Sequence, residues 1–240
     1  MILNTEAIVL HSRKYGDTSR IAVIYTRSHG KMHVHAKGAR MPKSPFGSAL
    51  DPLRQCAITV YHKKMRELQT ISQAEVTIQR RMLHESFDHL TLGLSLCETV
   101  VRTQRDEEPN EELFSLLVAS LNALERASQP VAIGMVFRIH LATLMGFGLP
   151  DSGPYDAGNS LYLSMENGMM TVAGPRGYQI SALAYALLRT LMESSPEDAG
   201  SLAVTDANRV EIDAFLSAYY SHHLERRIVI TSFDMLRTTP

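Results

Sequence analysis

The sequence predicts an α+β protein: a small closed β-barrel over residues 1–78, then an all-α bundle over residues 79–240 with a loop-and-hairpin insert at about residues 149–174. Three observations carry that expectation. The apolar spacing has period 2 before residue 78 and period 3.6 from Arg80 onward. Five β-rich runs precede the change, with one longer connection after the third. A turn-rich stretch and an Asn167-Gly168 step then interrupt the helical pattern.

The strands come first. AIVLHS (7–12) opens the chain, and SRIAVIYTRS (19–28) follows the turn Lys14-Tyr15-Gly16-Asp17. Ser28-His29-Gly30 makes a tight turn into KMHVHAKG (31–38). ARMPKSPFGSALDP carries Pro42, Pro45 and Pro52, which limits it to a loop or a short helix. QCAITVYHKK (55–64) and RELQTISQAEV (66–76) complete the set. Five short strands with one long connection after the third suggest an OB fold, a barrel whose second and third strands commonly face nucleic acid.

The helices follow. Leu83, Phe87, Leu90, Leu94, Cys97 and Val101 fall on one apolar face. Asn110 caps a second helix, with Glu111 and Glu112 in its first turn and Leu113, Leu117, Leu121 and Leu124 as its apolar set. Pro130 opens VAIGMVFRIHLATLMGF, apolar on most sides and therefore the centre of the bundle, which Gly146 and Gly148 end. FGLPDSGPYDAGNS is turn-rich, and LYLSM-ENG-MMTVA is a hairpin with Asn167-Gly168 at positive φ. Two more helices span Ala182–Glu193 and Asp206–Leu224, capped by Ser181 and Thr205. His222 and His223, near the end of the last, suit its dipole as imidazolium.

Composition narrows the function. With 240 residues, 45% hydrophobic and 20% charged, the chain suits one or two folded domains. No run approaches the length of a membrane span, and MILNTEAIVLHSRK has no basic region ahead of an apolar run, so a cytoplasmic protein without a secretory signal is expected. Cys56 and Cys97 suit buried free thiols. No Gly-x-Ser-x-Gly, Walker A loop, His-Glu-x-x-His or Gly-x-Gly-x-x-Gly occurs. FGLPDSGP and GPRGY are turns, and Asp106-Glu107-Glu108 and Glu197-Asp198 are expected to be solvated loop charges. No enzyme and no cofactor is expected.

Charge is strongly segregated. Residues 1–66 hold 12 Lys and Arg against 3 Asp and Glu, whereas residues 67–240 hold 12 against 22. All six lysines (Lys14, Lys31, Lys37, Lys43, Lys63, Lys64) lie in the first part. Such a footprint suits a phosphate polymer. On the third strand Met32, Val34 and Ala36 point one way, into a barrel, and Lys31, His33, His35 and Lys37 the other. Arg13 and Lys14 after the first strand, and Lys63, Lys64 and Arg66 after the fourth, would frame that face, with Arg20 and Arg27 on the second strand and Arg40 beyond the third. Tyr15 and Tyr61 could stack on bases. A His33/His35/His29 metal site is the competing reading, weakened by four nearby cations and by the lack of orienting carboxylates.

TEAIVLHSRKYGDTSRIAVIYTRSHGKMHVHAKGAR is similar to the start of RecO, the bacterial recombination mediator, through its opening strand, the Tyr-Gly-Asp before strand 2, the Thr-x-x-x-Gly turn and the Lys-Gly-Ala-Arg end of strand 3. FRIHLATLMGFGLP resembles the family's central helix, and a closing Leu/Arg/Ser/Leu segment lies near Leu224–Leu236. The resemblance covers the whole chain. It implies a non-enzymatic, nucleoid-associated protein that binds single- and double-stranded DNA and anneals complementary strands. It further implies joining RecR, contacting the acidic tail of the single-strand-binding protein and helping RecA load. Alternatives are a general OB-fold RNA-binding protein and a His-metal hydrolase. Many family members carry a four-cysteine zinc site in the insert; Pro150–Val172 contains no cysteine, so here packing must hold the hairpin. Arg138, inside the apolar central helix, is the candidate for the acidic tail, unless it pairs with a helix carboxylate such as Glu98 or Glu125.

Overall fold

The computed structural model describes residues 1–151, 161–171, 176–225 and 230. Most of FGLPDSGPYDAGNS, Val172 and Ala173 at the end of the hairpin run, Gly174 and Pro175 of GPRGY, and nearly all of the closing Leu224–Leu236 segment lie outside the described residues. The chain divides into two compact units, one taking in Met1–Leu121 and the other beginning at Asn122.

The first unit is built on a closed barrel. Its strands are β1 (Ile2–Tyr15), β2 (Ser19–Thr26), β3 (Gly30–Ala36), β4 (Gln55–Tyr61) and β5 (Leu68–Ile78), in the order β1-β2-β3-β5-β4. Every pairing is antiparallel except β3 with β5, where His33 meets Leu68 and His35 meets Thr70. That single parallel pair closes the barrel in the OB manner expected from the five runs. Alternation sends Ala7, Val9, Ala22, Ile24, Met32, Val34, Ala36, Ile58, Val60 and Ile71 inward. Small alanines beside large residues let a five-stranded barrel fill its centre without a void. The proline-rich connection after β3 forms turns and no helix, and it plugs the barrel with Phe46, Ala49 and Leu50. Gly30 ends the β2–β3 turn at φ +66°, a conformation glycine adopts without strain.

The outer face of β2 is apolar too. Ile21, Val23 and Tyr25 point away from the barrel centre and are buried, as are Ile8 and Leu10 of β1. Two helices add to this unit's cover: α2 (Phe87–Thr103) packs along β1, and α3 (Glu111–Arg126), which belongs to this unit as far as Leu121, stacks Phe114 on Tyr25 at 6.5 Å. A short α1 (Met82–Glu85) precedes them and buries Leu83. The compact unit therefore runs past the change of period at residue 78.

The face that α2 buries differs from the one its leucines suggested. Phe87 is exposed, and Leu90, Leu94 and Val101 are only partly covered. Thr91, Ser95, Thr99 and Thr103 are buried instead, beside Leu92, Leu96, Cys97 and Val100. Burying a hydroxyl is costly unless it is bonded. Each of the four donates to a backbone carbonyl one turn back, at 2.6–2.8 Å, which makes the stripe as burial-tolerant as an apolar one.

The second unit centres on α4 (Val131–Leu144), with α5 (Ala182–Glu193), α6 (Pro196–Ala199) and α7 (Asp206–His223) packed on it. Ten of the 14 residues of α4 are buried, which settles it as the central helix. Gly146, at φ +87°, and Phe147 close it by donating to Thr143 and Ala142. Ser181 and Thr205 cap α5 and α7 as their sequences indicate, and Asn110 caps α3, accepting from Leu113 N–H at 2.9 Å. Glu197 and Asp198 are not loop charges: Ser195 and Asp198 form a capping box that starts α6. The insert forms a three-stranded sheet, β7-β6-β8, from β6 (Leu161–Ser164), β7 (Met170–Thr171) and β8 (Gly177–Ile180). β8 was not foreseen. The β6–β7 turn spans four residues between Ser164 and Met169, with Gly168 alone at positive φ (+72°), so Asn167 does not share that conformation. Leu161, Leu163 and Ile180 are buried, and Tyr178 packs on Phe215, so packing holds this sheet. His223 is not an imidazolium cap. Its ring stacks on Phe147 at 4.6 Å, and burial, followed by the charge of His222, pushes its pKa down against a backbone contact at Met165.

Candidate nucleic-acid interface

β3 presents its polar side as the alternation requires, but its members have different fates. Lys31 is 9% exposed. Its ammonium donates to Val101 O at 3.1 Å and Gln104 O at 2.5 Å, at the C-terminal end of α2, and lies 3.3 Å from Asp106. A cation there meets the free carbonyls and the negative end of the helix dipole. Lys31 is thus a helix cap and not part of the open face. His33 is partly exposed and faces Asp106 at 3.6 Å. His35 meets the edge of Tyr15, ring centres 5.5 Å apart. Lys37 is exposed at the far end of the strand.

The arginines divide in the same way. Arg20 pairs with Asp51 at 2.7 Å. Arg27 pairs with Glu6 at 2.9 Å and Glu111 at 3.2 Å, and lies over the Phe114 ring at 4.5 Å. Burial alone would raise the Glu6 pKa, but hydrogen bonds from Arg27 and Gln55 and the charges of Arg27 and Arg80 hold it below the usual carboxylate range. Arg20 of β2 and Arg27, which follows that strand's last residue, are therefore matched internally. Arg40 is exposed and donates to Gly16 O at 3.0 Å. Among the described residues no carboxylate pairs with Arg13, Lys14, Lys37, Lys63, Lys64 or Arg66, all of them exposed. These six lie at three places that the barrel brings to its surface: the end of β1, the end of β3 and the loop between β4 and β5. Tyr15 and Tyr61 are 48% and 49% exposed, Tyr15 beside the first group and Tyr61 leading into the third.

The sequence reading missed the acidic residues of this region. Asp106 and Glu107 were expected to be solvated loop charges. They sit instead on the barrel: Asp106 beside Lys31 and His33, and Glu107 at 3.0 Å from His62. With the Lys64–Glu67 loop opposite, they flank a cleft of about 240 Å³. The available signal was charge balance, since a basic strand with a buried lysine needs counter-charge, but nothing local says that it comes from some 75 positions away. His29 bonds Ser28 at 2.8 Å, and among the described residues no three His, Cys, Asp or Glu side chains converge as a metal set.

In the second unit Arg138 is 5% exposed and pairs with Asp213 of α7, not with Glu98 or Glu125. Its carbonyl accepts from the Tyr220 hydroxyl at 2.6 Å.

A closed barrel with β3 beside β5, preceding a helical unit with its own small sheet, defines an OB-type protein with a helical partner domain. The family model described as Recombination protein O N terminal matches residues 1–80, and that described as Recombination protein O C terminal matches residues 84–229. The chain belongs to the RecO family of DNA repair proteins. It is 31% identical over 231 residues to the DNA repair protein RecO of Salinibacter ruber, covering 93% of this chain and 89% of that one. The same-named protein of Symbiobacterium thermophilum is 26% identical, with 99% and 98% covered. That of Chloroherpeton thalassium is 27% identical, with 94% of each covered.

Proposed function

We propose that this chain is a non-enzymatic DNA-binding recombination mediator that binds single- and double-stranded DNA through its barrel, anneals complementary strands and helps load a recombinase onto strands coated by single-strand-binding protein. The observation that carries the reading is the set of six exposed cations on the barrel that have no carboxylate partner among the described residues: Arg13, Lys14, Lys37, Lys63, Lys64 and Arg66. Arg20, Arg27 and Lys31 are neutralised in place by carboxylates; these six are left for an external anion, and a phosphate chain supplies one. His33, His35 and Arg40 lie along the same side of β3 and the loop beyond it, and Tyr15 and Tyr61 offer π faces to unpaired bases. Membership of the RecO family supports DNA as the polymer. Contacts with RecR, with RecA and with the acidic tail of the single-strand-binding protein are carried by family membership alone. For the tail, Arg138 is the candidate from sequence; a tail reaching its buried guanidinium must displace Asp213.

The test is a salt titration. Binding of a single-stranded oligonucleotide should weaken with salt at a slope near −4 in log K against log[salt], as for about six phosphates. Reversing Lys37, Lys63 and Lys64 to glutamate should weaken binding to all sequences alike and flatten the slope. An RNA oligomer of equal length serves as competitor; RNA bound much more tightly than DNA, or a slope near zero, overturns the reading.

A further inference from the structure

The connector between α2 and α3 puts two carboxylates on the cationic side of the barrel. Asp106 lies 3.3 Å from Lys31 Nζ and 3.6 Å from His33 Nε2, and Glu107 lies 3.0 Å from His62 Nε2. Main-chain contacts fix where they stand. Glu107 N–H donates to Lys31 O at 2.9 Å, and Lys31 and Asp106 form a parallel β-bridge. Glu108 O sits 2.2 Å from where a Cβ of Gly30 would be, so only glycine lets the connector approach β3 this closely. Across the cleft stand Lys64 and Arg66, without carboxylate partners among the described residues. Asp106 and Glu107 thus stand beside Lys31 and His33 on one wall, and Lys64 and Arg66 beside Glu67 on the other.

A phosphate chain follows cations and avoids fixed carboxylates. The geometry points to Asp106 and Glu107 as the residues that set the path of nucleic acid on the barrel and limit its affinity. They act as built-in counter-ions, Asp106 beside His33 and Glu107 beside His62, at places a phosphate would otherwise take. The chain is thereby confined to the Lys63–Arg66 loop and to the Tyr15–Lys37 end of β3. The inference rests on the nucleic-acid reading above and adds an edge to the track. Limited affinity suits a protein that hands its strand to another.

Asp106→Asn combined with Glu107→Gln removes both charges at constant size. For a short fluorescent oligodeoxythymidine, affinity at low salt should rise about five-fold, and the salt slope should steepen by about 0.7 for each phosphate newly reached. Glu75→Gln, exposed on β5 and outside the cleft, removes a charge elsewhere and should change neither. Equal tightening by Glu75→Gln overturns the inference, because net charge alone then explains it. So does an unchanged or weakened double variant that melts like the parent. Should the double variant unfold, Glu107→Gln alone decides, since it leaves Lys31 and Asp106 in place: tightening supports the inference and its absence overturns it. A parent protein with no affinity at low salt overturns the nucleic-acid reading and this inference together. A parent that binds, and weakens on Lys63/Lys64 reversal, but ignores changes at 106 and 107, overturns this inference alone.

Discussion

Lys31 and Lys37 stand on the same side of one strand and do different work. Lys31 holds two carbonyls at the end of α2 and is shielded from water, whereas Lys37 is exposed and has no carboxylate partner among the described residues. Lys31→Met should therefore cost stability, on the order of 1–2 kcal/mol for a charge-assisted cap of this kind, and show as a lower melting temperature with little loss of DNA affinity. Lys37→Met should do the reverse. Comparing melting and binding for the two variants checks the assignment; equal effects on both readouts would contradict it. The period-2 pattern of residues 31–37 made the orientation of each side chain legible. It could not show that the end of a helix lies over Lys31, because that contact joins positions some 70 apart. Arg138 repeats the lesson: an arginine in an apolar helix announces a paired carboxylate, and the identity of Asp213 needs the fold.

At the scale of elements, the barrel strands and the capped helices were legible, because alternation and caps are local signals. Three elements were not. The buried stripe of α2 uses hydroxyls, which hydrophobic counting discards. β8 is four residues long and, among the described residues, pairs with β6 alone, too little for a periodic pattern. The short α6 hides in Ser195-Pro196-Glu197-Asp198, where the capping box was present but was read as loop charge. The contact between the hairpin and α7 also carries a pH dependence. His223, beside Phe147, Tyr219, His222 and the Met165 backbone, has a pKa below its ordinary 6.5, chiefly through burial. His140 on α4 is shifted the same way by burial. An unfolded chain takes up these protons more readily, so their neutral forms support the fold fully above pH 6.5 and that support fades as pH falls through and below it. The melting temperature should drop on acidification through that range, and His223→Phe, which keeps the stack on Phe147, should drop less. Identical pH profiles would show that His223 does not titrate against the fold.

At the scale of the molecule, the change of period at residue 78 marks where strands end, but burial draws a later line. Ile8, Leu10, Ile21, Val23 and Tyr25 face outward from the barrel and are covered within a unit that takes in Met1–Leu121. A fragment of residues 1–78 would lose α2 from β1 and Phe114 from Tyr25, and would strand Lys31 without its helix end. At about 25 cal/mol per Å² that exposure is a loss a small barrel cannot absorb. The fragment should bind hydrophobic dyes and aggregate, while a fragment ending after α3 stays dispersed; a monomeric 1–78 fragment with a cooperative melt would refute this. The charge segregation of the sequence made the cations of the barrel legible, and hid the two carboxylates of the connector, which lie on the acidic side of the count and beside basic residues in the fold.

Both cysteines illustrate a different consequence. Cys56 lies within the barrel and Cys97 within α2; both are wholly buried, and burial pushes each thiol up to about 12. Thiolate is the reactive form, so the folded chain is silent toward maleimides and disulfide reagents. Any cysteine placed on its surface becomes the single addressable label. Dyes or spin probes at the loops around Lys37 and Lys64 would then report directly on the proposed capture of a strand, in a protein that keeps every native residue of its core.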